Sequence, residues 1–185
     1  MVNLNLPDWL AREEPQLARK RYPDPTLRMR LAIALAERNV SEATGGPFGA
    51  AVFSEPDGRL LAVGVNVVRT AHCSLAHAEM LALALAQQRT GCHRLSEAGL
   101  QACLATSAQP CSMCFGALFW AGLDSLLIGA RKGDVEQAAG FDEGPLPRDW
   151  KHQLGKRGLR VICDLLRDEA RGVLQRYRAS GGGGY

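Results

Sequence analysis

Two short motifs, each where a helix should begin, constrain this chain more than any other feature. His77-Ala78-Glu79 opens an Ala- and Leu-rich stretch over 75–88, and Pro110-Cys111-Ser112-Met113-Cys114 opens a second predicted helix running to about Trp120. Zinc in a catalytic site takes three nitrogen or sulfur ligands and leaves a fourth position to water. His77, Cys111 and Cys114 supply one imidazole and two sulfurs, and residues three apart on a first helical turn project from one face. Helix N-termini favour negative charge, hence thiolates. Glu79, two residues beyond His77, can reach a bound water without occupying a coordination site. Alone, Cys-x-x-Cys is as readily two core cysteines or a redox pair, and His-x-Glu arises by chance. Together they point to a metal-assisted hydrolytic site.

Around these motifs the pattern is that of one α/β domain. Residues 1–25, broken by Pro7, Pro15, Pro23 and Pro25, read as a polar arm with one short helix at most. From Thr26, a candidate N-cap, Leu27, Leu31 and Leu35 recur every four residues, an amphipathic helix ending before Gly45-Gly46-Pro47. Gly49–Ser54 and Arg59–Val68 flank a Pro-Asp-Gly turn and predict a β-hairpin. Ala102–Thr106, Ser125–Ala130 and Leu159–Cys163 read as further strands, 140–149 as loop, and Leu165–Arg178 as a last amphipathic helix. A hairpin followed by alternating helix and strand predicts helices on both faces of a mixed sheet. The domain is expected to span 1–185, with 181–185 as a glycine-rich tail.

Four stretches carry a resemblance: Gly-Gly-Pro-Phe-Gly-Ala-Ala-Val-Phe (45–53), Gly-Val-Asn (64–66), Ala-His-Ala-Glu-Met (76–80) and Gly-Phe-Asp-Glu-Gly-Pro (140–145). Over about residues 27–180 the chain resembles the cytidine deaminase-like zinc hydrolases. The 140–145 block makes it most similar to their guanine deaminase-like branch. That resemblance implies a three-layer α/β/α sandwich with a mixed five-stranded sheet, one Zn2+ per subunit on His77, Cys111 and Cys114, and a homodimer. It implies conversion of guanine to xanthine plus ammonia, by attack at C2 with Glu79 shuttling protons. Asn66 would hydrogen-bond the ring, the Ala78 backbone would touch the base, and Phe48 would line the pocket. Glu143 would be a second acidic group that orients the substrate and assists proton movement. Phe141 and Asp142 share its loop and would help close the site. Trp120 reads as pocket wall or core. Tyr185, after four glycines, is a loose terminus by composition and a lid over the base by resemblance. Gln109 stands where the family often has Glu, keeping the shape and hydrogen bonds but not the charge.

Rival functions separate on composition. Lys+Arg 22 against Asp+Glu 19 leaves a net charge of +3, with the densest basic stretch (Lys151, Lys156, Arg157, Arg160) flanked by Asp149 and Asp164. That is weak support for a tRNA adenosine deaminase, which needs a basic surface for phosphates. Ammeline, a pterin or a nucleoside stay open as other aminated substrates. A silent protein that keeps zinc for stability would not require Glu79. The longest apolar run, Met80 to Ala86, falls far short of a membrane span, and the N-terminus carries no readable signal peptide. A cytoplasmic enzyme is expected.

Overall fold

The computed structural model describes residues 5–184. Its elements run α1 (Asp8–Ala18), α2 (Pro25–Ser41), β1 (Gly49–Ser54), β2 (Leu60–Val65), α3 (Ala78–Thr90), β3 (Ala102–Ala108), α4 (Ser112–Ala121), β4 (Ser125–Ala130), α5 (Lys132–Ala139), α6 (Trp150–Gly155), β5 (Arg160–Ile162) and α7 (Arg167–Ala179). The five strands form one sheet in the order β2-β1-β3-β4-β5. β1 pairs antiparallel with β2 and β3, while β3–β4 and β4–β5 are parallel. The mixed α/β sheet predicted from the hairpin and the alternation that follows it is therefore present.

The strands β1 to β4 are buried at every position because both faces are covered, while β5 is a short, largely exposed edge. Ala51, Phe53, Cys103, Ala105 and Leu127 point into a core shared with α1, α2 and α7. The alternate residues Ala50, Val52, Leu104, Leu126 and Ile128 point into a core shared with α3, α4 and α6. Two glycines let the flanking helices approach. A Cβ at Gly49 would lie 2.4 Å from the Ala32 carbonyl oxygen of α2, and one at Gly64 would lie 2.2 Å from that of Ala78 in α3. Small residues on the paired strands thus fix α3 tightly on the sheet, and with it the start of that helix.

The N-terminal region departs from the expected arm. α1 is eleven residues long and buries Trp9 and Leu10, which join the core against α2. The first turn of α2 is capped two residues earlier than Thr26: Asp24 accepts from the Leu27 amide at 2.9 Å and Pro25 takes the first helical position. Two helices, α5 and α6, stand where the apolar period is too weak to announce them.

The start of α5 is held by Asp134. Its carboxylate accepts from the Arg131 amide (2.8 Å) and from both Nε and Nη2 of Arg167 (2.7 and 2.8 Å), tying α5 to α7. The Arg167 hydrogen bonds, opposed in part by burial, hold this carboxyl below its ordinary value of 3.8. Asp134→Asn is expected to cost about 1–2 kcal/mol, discounted because the Arg167 side chain is partly exposed. A group with a lowered folded-state pKa stabilises above its unfolded value and loses that contribution as pH falls through the folded one. The gap in melting temperature between wild type and variant should therefore be full well above pH 3.8 and close below it. A gap that persists at pH 2 would contradict this.

Candidate active site

Both motif helices begin at the same edge of the sheet, beyond the carboxyl ends of β2 and β3, where open α/β sheets bind ligands. His77 is the N-cap of α3 and Cys111 the N-cap of α4, each in extended backbone (φ −74°, ψ 156° and φ −68°, ψ 177°). These caps aim the two side chains at each other. One ligand atom from each of His77, Cys111 and Cys114 falls within 4.8 Å of the others. His77 Nδ1 lies 3.6 Å from Cys111 Sγ and 3.7 Å from Cys114 Sγ. A tetrahedral zinc ion with Zn–N of about 2.0 Å and Zn–S of about 2.3 Å would set nitrogen and sulfur about 3.5 Å apart. The donor chemistry and the spacing both fit such an ion.

Glu79 is buried beside this trio. Its Oε2 lies 3.5 Å from Cys114 Sγ and its Oε1 lies 3.1 Å from the Thr106 hydroxyl, which is also 3.0 Å from the Ala108 carbonyl. An ionised Glu79 can accept from Thr106, and a protonated one can donate to it while Thr106 donates onward. Burial, then the Cys111 charge, pushes the Glu79 carboxyl up, partly opposed by His77. Cys111 accepts from the Cys114 thiol, and despite burial that bond and His77 bring Cys111 down to about 4; the same bond and burial push Cys114 up. For His77, burial lowers the pKa, but the Cys111 hydrogen bond and the Glu79 charge outweigh it and the net shift is upward.

Glu143 arrives from the 140–145 block and faces the same cavity. It is 8% exposed, and burial, reinforced by Cys111 and Glu79, raises its carboxyl to about 8. Ser112, between the two cysteines, pins the segment: its amide donates to the Glu143 carbonyl (3.1 Å) and its hydroxyl lies 2.5 Å from that of Pro145. Lys132 Nζ donates to the Gly144 carbonyl, and Asp142 Oδ1 accepts from the Gly144 amide at 2.8 Å. Phe141 packs edge-on against Phe48 at 4.9 Å and stacks on Tyr177 at 5.9 Å.

The structure brings most of the predicted residues together. Phe48, Asn66, His77, Glu79 and Cys111 line one cavity with the Phe141-Asp142-Glu143 segment, and Cys114 adjoins His77 and Glu79. The cavity measures about 30 Å³, room for about one water. Trp120 is not in this wall. It is 66% exposed at the far end of α4, under the Arg157 guanidinium, because a helix rising about 1.5 Å per residue carries it more than two turns from Cys111. Ala78 is wholly buried, its carbonyl against Gly64. Tyr185 lies outside the described residues. Thr106 was not anticipated, since at the end of a buried strand it reads as strand alone. Gln109 lines the cavity, and its side-chain oxygen accepts from the Lys132 amide at 3.3 Å, a bond the neutral amide makes without a charge.

Residues 24–130, which contain both motifs, match the cytidine and deoxycytidylate deaminase zinc-binding region. The chain is 36% identical over 115 residues to the guanine deaminase of Bacillus subtilis, covering 62% of this chain and 69% of that one. Its fold aligns with the solved guanine deaminase from Nitrosomonas europaea at a TM-score of 0.90 and 44% identity, over 97% of each chain. A structure solved in complex with 2,6-diaminopurine aligns at 0.91 and 44% identity, over 98% of this chain and 95% of that one. With its mixed five-stranded sheet and its His-Cys-Cys group at two helix starts, the chain belongs to the cytidine and deoxycytidylate deaminase family of zinc-dependent hydrolases. Within that family it falls in the guanine deaminase-like branch.

Proposed function

We propose that this chain hydrolyses the exocyclic amine of a free purine base, guanine, giving xanthine and ammonia. The observation that carries the reading is the joint placement of Glu143 and Asn66, both under 10% exposed, on the cavity that holds Glu79 and the His-Cys-Cys group. A buried carboxylate and a buried amide offer hydrogen bonds to an edge of N–H donors and ring acceptors. A site built that way rejects bases that leave its polar groups unpaired. The relatives named above, guanine deaminases and a 2,6-diaminopurine complex, support the same substrate class.

His77, Cys111 and Cys114 would hold one zinc ion per subunit, which when bound polarises a water for attack near neutral pH. Glu79 would carry one proton of that water to a ring nitrogen and the second, from the hydroxyl newly bonded to carbon, to the leaving amine, which departs as ammonia. Its raised pKa and the reversible Thr106 contact suit a group that must both take and give. Glu143 would hold the amine-bearing edge of the base, and its raised pKa suits a group that assists proton movement. Phe48 and Phe141 would sandwich or edge the ring, and Asp142 would stiffen the closing segment.

The chain is further proposed to act as a cytoplasmic homodimer. A shallow groove lined by Met80, Met113, Ala117 and the exposed Trp120 supports a second copy as partner. All six cysteines are free thiols, as suits a reducing compartment, and among the described residues no helix is long and apolar enough to cross a membrane.

The test is ammonia release from guanine, guanosine, adenine, cytosine, cytidine, ammeline and a tRNA anticodon stem-loop. Turnover of guanine above all others supports the proposal; activity confined to ammeline, a nucleoside or the stem-loop would replace it. Glu143→Gln, which keeps shape but not charge, should lower guanine turnover at least about tenfold, about 1.4 kcal/mol in the barrier. A wild-type rate in that variant would remove Glu143 from the chemistry.

A further inference from the structure

Asn39, on α2, touches none of the reacting groups, yet it is fully buried and its amide is satisfied on both sides. Nδ2 donates to the Gly46 carbonyl and to the Asn66 carbonyl, both at 2.8 Å, while Oδ1 lies 2.7 Å from the Thr44 hydroxyl. The orientation is fixed by chemistry, since a flipped amide would set its oxygen against two carbonyl oxygens. Thr44 in turn accepts from the Trp9 indole N–H of α1 at 3.0 Å, and Thr70 donates to its carbonyl at 2.9 Å. Backbone packing leaves the same segments no slack. A Cβ at Gly45 would fall 1.8 Å from the Asn66 carbonyl oxygen, and one at Gly46 would fall 3.2 Å from Asn66 Oδ1.

We infer that Asn39 is a positioning residue for substrate recognition: it clamps Asn66 against the Gly45-Gly46 turn, and Trp9 holds that clamp through Thr44. The base pocket is then built partly by the N-terminal helix. This inference rests on the assignment of Asn66 as a base contact in the proposed function. A group that only sets where a binding amide sits should act on substrate affinity more than on the chemical step.

The test uses the zinc-loaded full chain with guanine. Thr44→Val removes the hydroxyl that bridges Trp9 and Asn39 at a partly exposed position. Asn39→Asp keeps the shape and loses both N–H donors. Thr44→Val is expected to raise KM at least about fivefold with kcat changed less than about twofold, and Asn39→Asp, if it folds, to raise it at least about tenfold. In an Asn66→Ala background the Thr44→Val effect should shrink below about twofold, because the residue it positions is gone. Amide hydrogen exchange should rise at 45–48 and 64–68 and not elsewhere. An unchanged KM in Thr44→Val, an effect undiminished in the Asn66→Ala background, or a rise in exchange spread over the whole chain would each overturn the inference. Should wild type fail to turn over guanine, the substrate assignment falls. The exchange measurement then decides the clamp, with protection at 64–68 unchanged in Thr44→Val refuting it.

Discussion

Glu79→Gln is expected to cut guanine deamination at least about a thousandfold while leaving zinc content at the wild-type level. The substitution preserves the volume and one hydrogen bond to Thr106, but an amide cannot take the proton of the attacking water or hand it on. General acid–base groups are worth about 10²- to 10⁴-fold, and one carboxylate serving several transfers belongs in the upper part of that range. Glu79 is 7% exposed and sits within 3.5 Å of Cys114 Sγ, so neither bulk water nor a neighbouring side chain can substitute for it easily. The metal measurement separates this account from one in which Glu79 merely shapes the His-Cys-Cys group. Loss of zinc together with activity would make it structural, and retained activity would remove it from the mechanism. A protein that bound zinc only for stability would show no turnover to lose.

How much of this could be read from the chain depended on how local each signal was. The zinc-type group was legible because its three members lie in two motifs, each at a helix start whose geometry a cap dictates. β4 was legible to the residue because Ser125–Ala130 reads as a buried strand closed by Lys132-Gly133. Glu143 was legible only through the Gly-Phe-Asp-Glu-Gly-Pro block, since a lone Glu in a loop looks solvated. What stayed hidden is set by contacts across the fold. Trp9 seemed part of a polar arm because its burial depends on α2 and Thr44, 35 positions away. Asn39 is an unremarkable polar residue in an amphipathic helix until the turn after it folds back on Asn66. Trp120 misled in the other direction: as a large aromatic it reads as pocket wall or core, but α4 carries it outward to an exposed position.

Removing the metal should abolish turnover and leave a folded, less stable protein whose activity returns on adding Zn2+. The fold should survive because its two cores lie on both faces of the sheet and owe nothing to the ion. The local cost is electrostatic. Cys111, Cys114, Glu79 and Glu143 gather four acidic groups around one cavity; burial pushes up Glu79 and Glu143, the Cys111 hydrogen bond and burial push up Cys114, and repulsion among the charges adds to all three. Zinc binds thiolates and neutral imidazole, so loading the site must expel protons, and apparent affinity must fall as pH falls. Titration of the chelator-treated protein with Zn2+ in buffers of different ionisation enthalpy should therefore show at least about one proton released per ion bound. A thermal midpoint that drops on stripping and recovers on reloading, with one ion restoring full activity per chain, is the expected result. Full activity in protein shown to be metal-free would end the assignment of His77, Cys111 and Cys114. Zinc uptake with no proton release would mean that the sulfurs are not its ligands.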